Sequence, residues 1–367
     1  MVKINPLDPD ISRIAAGKTR HYDIDWMRTL AMALLIVYHV VLTFQPWAKY
    51  IGFPQNDSSL DSIWIVMAAL NIWRIPVLFL ISGMGVRFAM ERRNWKQMLS
   101  DRTIRILVPY LFGIVILQYT ISFLLPFLGW QANFTITFGH LWFLLNIYLY
   151  FLWILGFTIY FKDHPENGFL RFFSRIIQWR FGIFLFALPV MLEAWLVNPQ
   201  YFATFVDTIH GWLLGFICFF SGFIFVSLKA IFWAAVKRNR WYALSITISL
   251  YLIRLFIFQL QDQLDWLTGL ESFSWMLSAL GFAVKHLNKP SASLSYFSTA
   301  VYPVYIVHLP VQFVLAYYLL PLQVSASVKL LTMLFGTFAI SLLLYELLLK
   351  RVNWLRPLFG MKLNKKN

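Results

Sequence analysis

The chain has 367 residues, of which 60% are hydrophobic and only 13% charged. Soluble domains run about 45–50% apolar and about 25% charged, so a soluble globular fold is excluded and a bilayer is the solvent that suits this surface. The net charge of +15 would fit a nucleic-acid partner, but no nucleic-acid motif is present.

Residues 1–25 form a polar, basic tail with no apolar stretch of the kind that makes a cleavable signal peptide. The first apolar segment, 26–45, holds two ionisable residues. Arg28 lies near its start, with Asp25 three residues earlier and within pairing reach. His39 follows eleven residues after Arg28. Eleven helical steps of about 100° end about 20° past three turns, so both side chains share one face, about 16 Å apart along the axis. Ionisable groups in lipid are costly and face a cavity or a partner. The stripe therefore suggests a polar path from one surface to mid-membrane. Taken singly, the two residues also fit a snorkelling arginine and a histidine bonded to a neighbouring helix.

The second segment, 61–86, carries Arg74 at mid-span, then Pro76 and the run Phe79-Leu80-Ile81-Ser82-Gly83. A proline within a span frees backbone groups that need internal partners. Arg74 is either a functional group or one half of an ion pair with Glu193 or Glu346. The third segment, 106–126, follows Arg102 and Arg105, one turn apart and ahead of Pro109. Two guanidinium forks on one face suit phosphate groups, or they simply mark the cytosolic side. The fourth, 140–160, opens with His140 and Trp142. Trp142 fits an interfacial aromatic belt, and His140 stands where an external substrate would enter.

Segments 181–198, 209–228, 241–260 and 271–284 follow, the last of them short of the roughly 20 residues a crossing needs. Cys218 reads as a small core residue and Arg254 as a structural partner. The ninth segment, 294–319, places Tyr302, Tyr305 and His308 at i, i+3 and i+6 around Pro303 and Pro310, with Gln312 a turn further on. The tenth, 329–349, carries Glu346 near its inner end.

Charge fixes the expected orientation. Of the 31 lysines and arginines, 26 lie in the two tails and in alternate loops, whereas the other five loops hold only Lys49 and Lys329. Basic residues accumulate on the cytoplasmic side. The expected fold class is therefore all-α, a polytopic bundle of about ten transmembrane helices with both termini inside. It divides into a cytoplasmic tail (1–25), a membrane domain (26–349) and a basic cytoplasmic tail (350–367). Asn56-Asp57-Ser58 and Asn133-Phe134-Thr135 match the glycosylation triplet, a pattern that arises often by chance.

The ordered motifs carry a resemblance. Tyr22-Asp23-Ile24-Asp25-Trp26-Met27-Arg28 followed by His39 is similar to the N-terminal motif of the acyltransferase 3 family, bacterial multi-pass enzymes that acylate carbohydrates. Arg74-Ile75-Pro76 with Phe79 to Gly83, Arg102-Thr103-Ile104-Arg105 with Pro109, His140-Leu141-Trp142-Phe143-Leu144, Tyr305-Ile306-Val307-His308 and Tyr345-Glu346 continue it in order. Within the family the chain looks most like the glucan-biosynthesis protein C group. The resemblance covers about 20–350, with segments five to eight matching in hydropathy only.

It implies a catalytic role for His39, an essential Arg28 beside Asp25, and donor binding by Arg102 and Arg105, with Arg74 and Ser82 near the donor. Acceptor contacts from His140, Trp142, Tyr305, His308 and Glu346 are implied more loosely. The implied partners are acyl-CoA (succinyl or acetyl) as donor, a carbohydrate acceptor and the lipid bilayer of the bacterial inner membrane, with no resident cofactor or metal; a homodimer is left open. Buried polar stripes and prolines in spans would also suit a transporter or flippase. Inverted repeats would favour that class, and none is visible. A membrane scaffold is the third alternative.

Overall fold

The structure is a computed structural model and describes residues 20–118, 139–261 and 264–363. Among the described residues every regular element is helical. Six helical runs are long and apolar enough to cross a membrane: Tyr22–Leu42, Ile63–Arg92, Ile209–Ser227, Asp265–His286, Ala292–Leu319 and Ala326–Leu349. A seventh arises if the pair Gly139–Trp153 and Leu155–Asp163, bent by 47°, counts as one broken span. The chain divides into two compact units. The first takes the chain up to Ala31, Ala69–Met98 and Leu149–Leu294; the second takes Met32–Ala68, Leu99–Tyr148 and the chain from Ser295 onward.

Helix α1 (Tyr22–Leu42) stops three residues short of the predicted segment. Pro46 explains this, because a residue preceding proline is pushed out of the helical region. The chain tightens first, with Thr43, Phe44 and Gln45 amides bonding the carbonyls of Val40, Val41 and Leu42.

In the first unit, the predicted second segment is broken. Helix α2 (Ile63–Asn71), which ends just inside this unit, is followed by a two-residue gap and then α3 (Arg74–Arg92). Pro76 is thus the third residue of a new helix, where its missing N–H has no intrahelical partner anyway. It opens a helix rather than kinking one. Helix α3 packs on α10 (Ile209–Ser227) with backbones in close approach. A Cβ on Gly83 would meet the Phe219 carbonyl, and one on Gly222 would meet the Leu80 carbonyl. Small residues permit this packing within membranes.

Helix α11 (Ala230–Phe256) lies along α12 (Asp265–His286). Arg254 on α11 grips Glu271 on α12 through two bonds of 2.8 and 2.9 Å. Helix α12 is 22 residues long, longer than the 14 predicted, because Glu271, Ser272, Ser274 and Ser278 are buried in protein and depress the apparent hydropathy. Helix α9 (Leu188–Val197) packs on α10 and α12, and there Glu193 pairs with His210 at 2.9 Å. The predicted fourth segment breaks at Ile154 into α6 (Trp142–Trp153) and α7 (Leu155–Asp163), followed by the amphipathic α8 (Gly168–Gln178). Trp142 to Tyr148 of α6 belong to the second unit.

Helix α4 (Trp95–Arg102), whose last four residues open this stretch of the second unit, runs into a π-helical turn (Thr103–Leu107) and α5 (Val108–Phe112). The third predicted segment continues into residues outside those described, as does Asn133. Helix α13 (Ala292–Leu319) stays continuous through Pro303 and Pro310, then turns into α14 (Ala326–Leu344). Val40 and Phe44 at the end of α1 pack with Ala316 of α13 and Met333 of α14 in one apolar cluster. Over it lies the 43–62 segment. Asn56 in that segment is buried, with its side chain donating to the Ser58 carbonyl and accepting from Lys329 Nζ at 3.2 Å. That burial is a structural use for the asparagine of the first glycosylation-like triplet. Lys329 also bonds the Leu320 carbonyl at the end of α13, so it caps a helix terminus instead of lying in a loop.

Candidate active site

The structure brings four of the predicted site residues together inside the second unit: His39, His140, Tyr305 and His308. His308 is fully buried and Tyr305 is 1% exposed. His308 Nδ1 lies 2.5 Å from the Tyr305 carbonyl oxygen. A carbonyl only accepts, so that nitrogen carries a hydrogen. His308 Nε2 lies 2.9 Å from His39 Nδ1. The two imidazoles are parallel to within 1°, with centres 5.2 Å apart. A five-membered ring with bonds of about 1.33 Å has its nitrogens about 1.1 Å from its centre. Two such radii and the 2.9 Å bond account for essentially the whole 5.2 Å separation. The rings are therefore coplanar and edge to edge, joined along the lone-pair direction, and not face-stacked.

His140 is the middle residue of the short turn Gly139–Leu141 ahead of α6. Its Nε2 donates to the Ile306 carbonyl at 3.2 Å, and its own carbonyl accepts from the Tyr305 hydroxyl at 2.5 Å. Its ring stands perpendicular to that of His308, 5.3 Å away. Gln312, also fully buried, donates to the His39 carbonyl at 2.7 Å and to Thr43 Oγ1 at 3.2 Å. Tyr305, His308 and Gln312 thus form an i, i+3, i+7 stripe on α13. Phe53, from the 43–62 segment, lies against the His39 ring at 5.5 Å and against Phe313 at 5.9 Å. Trp142 is buried just beyond His140.

His39 itself sits in the last turn of α1. Because α1 ends at Leu42, the histidine lies near the far end of the helix, about 26 Å along the axis from Tyr22. Arg28 is on the same helix, at the opposite end, 3.4 Å from Asp25, and Asp25 also pairs with Arg20 at 2.7 Å. Arg28 and Asp25 are therefore about three and about four turns away from His39.

The remaining predicted residues lie elsewhere. Arg105 donates to the Gly360 carbonyl at 3.3 Å, beside Arg102 at the head of the π-helical turn. Gly360 has φ +69° and faces the Tyr302 ring, where a side chain would clash. Arg74 bonds Asn71 Oδ1 at 2.9 Å. Of the two acids considered for it, Glu193 pairs with His210 and Glu346 with Lys350. Ser82 bonds the Leu78 carbonyl of its own helix, a local back-bond. Glu346 lies at the Tyr296 level of α13, where the Tyr296 and Tyr345 rings are 6.1 Å apart. Twelve residues along α13 from Tyr296 to His308 is about 18 Å, so Glu346 is not part of the histidine cluster.

Sequence reasoning missed Thr43, Phe53 and the direct bond between His39 and His308. A signal was present: Thr43 is four residues after His39 and Gln312 four after His308, so each helix shows a matching polar pair on one face.

Among curated proteins, "Glucans biosynthesis protein C" of Salmonella schwarzengrund (strain CVM19633) is 24% identical over 383 aligned residues, covering 94% of this chain and 95% of the relative. The proteins of the same name from Salmonella paratyphi B (strain ATCC BAA-1250 / SPB7) and Salmonella heidelberg (strain SL476) are 25% identical with the same coverage. No solved structure matches. Residues 21–346, from just before α1 almost to the end of the last membrane helix, match the acyltransferase domain of the acyltransferase 3 type, and the chain belongs to that family of membrane acyltransferases.

Proposed function

We propose that this enzyme moves a succinyl or acetyl group from cytosolic acyl-CoA to a hydroxyl of an extracytoplasmic carbohydrate, with a glucan the first acceptor to test. The observation that carries this reading is the buried cluster around His39. Neutral histidine is a competent general base near neutral pH, and acyl transfer to a sugar needs a base on the hydroxyl. The names of the Salmonella relatives supply the glucan.

In this reading the enzyme sits in the bacterial inner membrane with both termini inside and about ten crossings. The 26-to-2 split of basic residues between alternate loops supports that orientation. Helix in part or all of each of the ten predicted segments supports the number. Arg102 and Arg105 hold the donor phosphates on the cytosolic side, and Arg28 adds positive charge at the cytosolic end of α1. His39 works near the opposite end, where His140 and Trp142 frame the entry of the acceptor. The acyl group thus crosses the bilayer while the coenzyme stays inside. A flippase reading leaves the family match unexplained.

The test is mass spectrometry of glycans from cells with and without the chain, and with His39→Ala. The expected result is a succinyl or acetyl mass increment that needs both the chain and His39. Unchanged acylation in the variant would remove His39 from the chemistry.

A further inference from the structure

We infer that His308 is a positioning residue that decides which nitrogen of His39 performs the chemistry. The inference rests on the acyl-transfer reading for its consequences, but its geometry stands without it. His308 Nδ1–H is committed to the Tyr305 carbonyl. Its Nε2 faces His39 Nδ1 in the common plane of both rings. One of those two nitrogens must supply a lone pair. If His308 Nε2 also carried a hydrogen, His308 would be an imidazolium with no exposed surface, bonded to a carbonyl and a neutral ring. Burying a charge without a counter-charge is strongly unfavourable. His308 Nε2 is therefore the acceptor and His39 Nδ1–H the donor, which puts the lone pair of His39 on Nε2.

That assignment orders the proton. His39 Nε2 takes the proton of the acceptor hydroxyl as its oxygen forms a bond to the thioester carbonyl carbon. The tetrahedral intermediate collapses, the carbon–sulfur bond breaks, and the leaving thiolate takes the same proton back from Nε2. While His39 is an imidazolium, its Nδ1–H stays on His308 Nε2, which stabilises the cation. Gln312 holds the His39 carbonyl and so fixes the backbone from which the ring projects toward α13. In serine hydrolase triads a carboxylate does this job; here a second imidazole, itself oriented by a backbone carbonyl, takes its place.

The experiment has two arms. In one, solid-state NMR of 15N-histidine-labelled protein in bilayers, assigned with His39→Gln, reads the tautomer without any substrate. The expected result is hydrogen on Nδ1 of His39; hydrogen on Nε2 overturns the inference whether or not the chain transfers acyl groups. In the other arm, kinetics compare His308→Phe, which keeps a ring but no acceptor, with His308→Gln, which keeps an acceptor and a donor. The expected result is a fall in kcat of roughly 10²-fold for Phe, with KM for both substrates unchanged, and at least tenfold recovery in Gln. Native kcat in the Phe variant, or Gln no better than Phe, overturns it. Hydrogen on Nδ1 in a chain that acylates nothing would support the pairing and sink the proposed function instead.

Discussion

The two compact units bury polar groups in opposite ways. In the first, two buried pairs join a basic side chain to a carboxylate: Arg254 with Glu271, and His210 with Glu193. In the second, the bonds that tie His39, His140, Tyr305, His308 and Gln312 together run between imidazoles, a phenol, an amide and backbone carbonyls. A matched ion pair is locked, because separating it leaves a charge in low dielectric. A network of neutral donors and acceptors can gain and lose a proton with its geometry intact. The first arrangement suits a scaffold and the second suits acid–base chemistry.

The sharpest way to break this contrast is His39→Ala. A drop in transfer of about 10⁴-fold or more is expected with insertion and thermal stability unchanged, read by acylation assay and melting in detergent. Next comes Glu271→Gln, which strands a buried Arg254. A loss of about 3–5 kcal/mol of stability is expected, seen as a lower Tm, while the protein that remains folded turns over normally. Adding Arg254→Met should restore much of the Tm. A catalytic defect at native stability in the Gln variant would mean the first unit is more than scaffold.

Reversing both Arg102 and Arg105 to Glu is expected to raise KM for acyl-CoA by roughly ten- to a hundredfold, through lost phosphate contacts, with KM for the acceptor unmoved. A defect confined to the acceptor would contradict the donor assignment. The smallest effect is expected for Lys329→Met, which uncaps α13 and releases Asn56. A stability loss of about 1–2 kcal/mol is expected, measured again as Tm.

The helices were legible because hydropathy and charge report lipid contact directly. Where the reading slipped, protein contact had replaced lipid contact. Helix α12 was underestimated because its Ser and Glu side chains face neighbouring helices, and the break before Arg74 was missed because Pro76 reads equally as a kink or a start. The residues of the site were legible one by one, as ionisable or hydroxyl groups in apolar runs. Their pairing was not, because a single helix's periodicity says which face a residue occupies and nothing about what lies opposite. The resemblance gave His308 to the acceptor, and its bond to His39 was not visible in either helix alone. For Arg74 the same limit left its near partner Asn71 unnoticed.

One consequence follows from the His39–His308 bond. With Nδ1 engaged, a single nitrogen has to serve both the incoming alcohol and the departing sulfur. In the proposed reaction the hydrogen that begins on the sugar therefore ends on the coenzyme thiol. If the sugar arrives from outside and the coenzyme stays inside, each turnover sends one acyl group outward and draws one hydrogen inward, a countercurrent built from an ordinary transesterification.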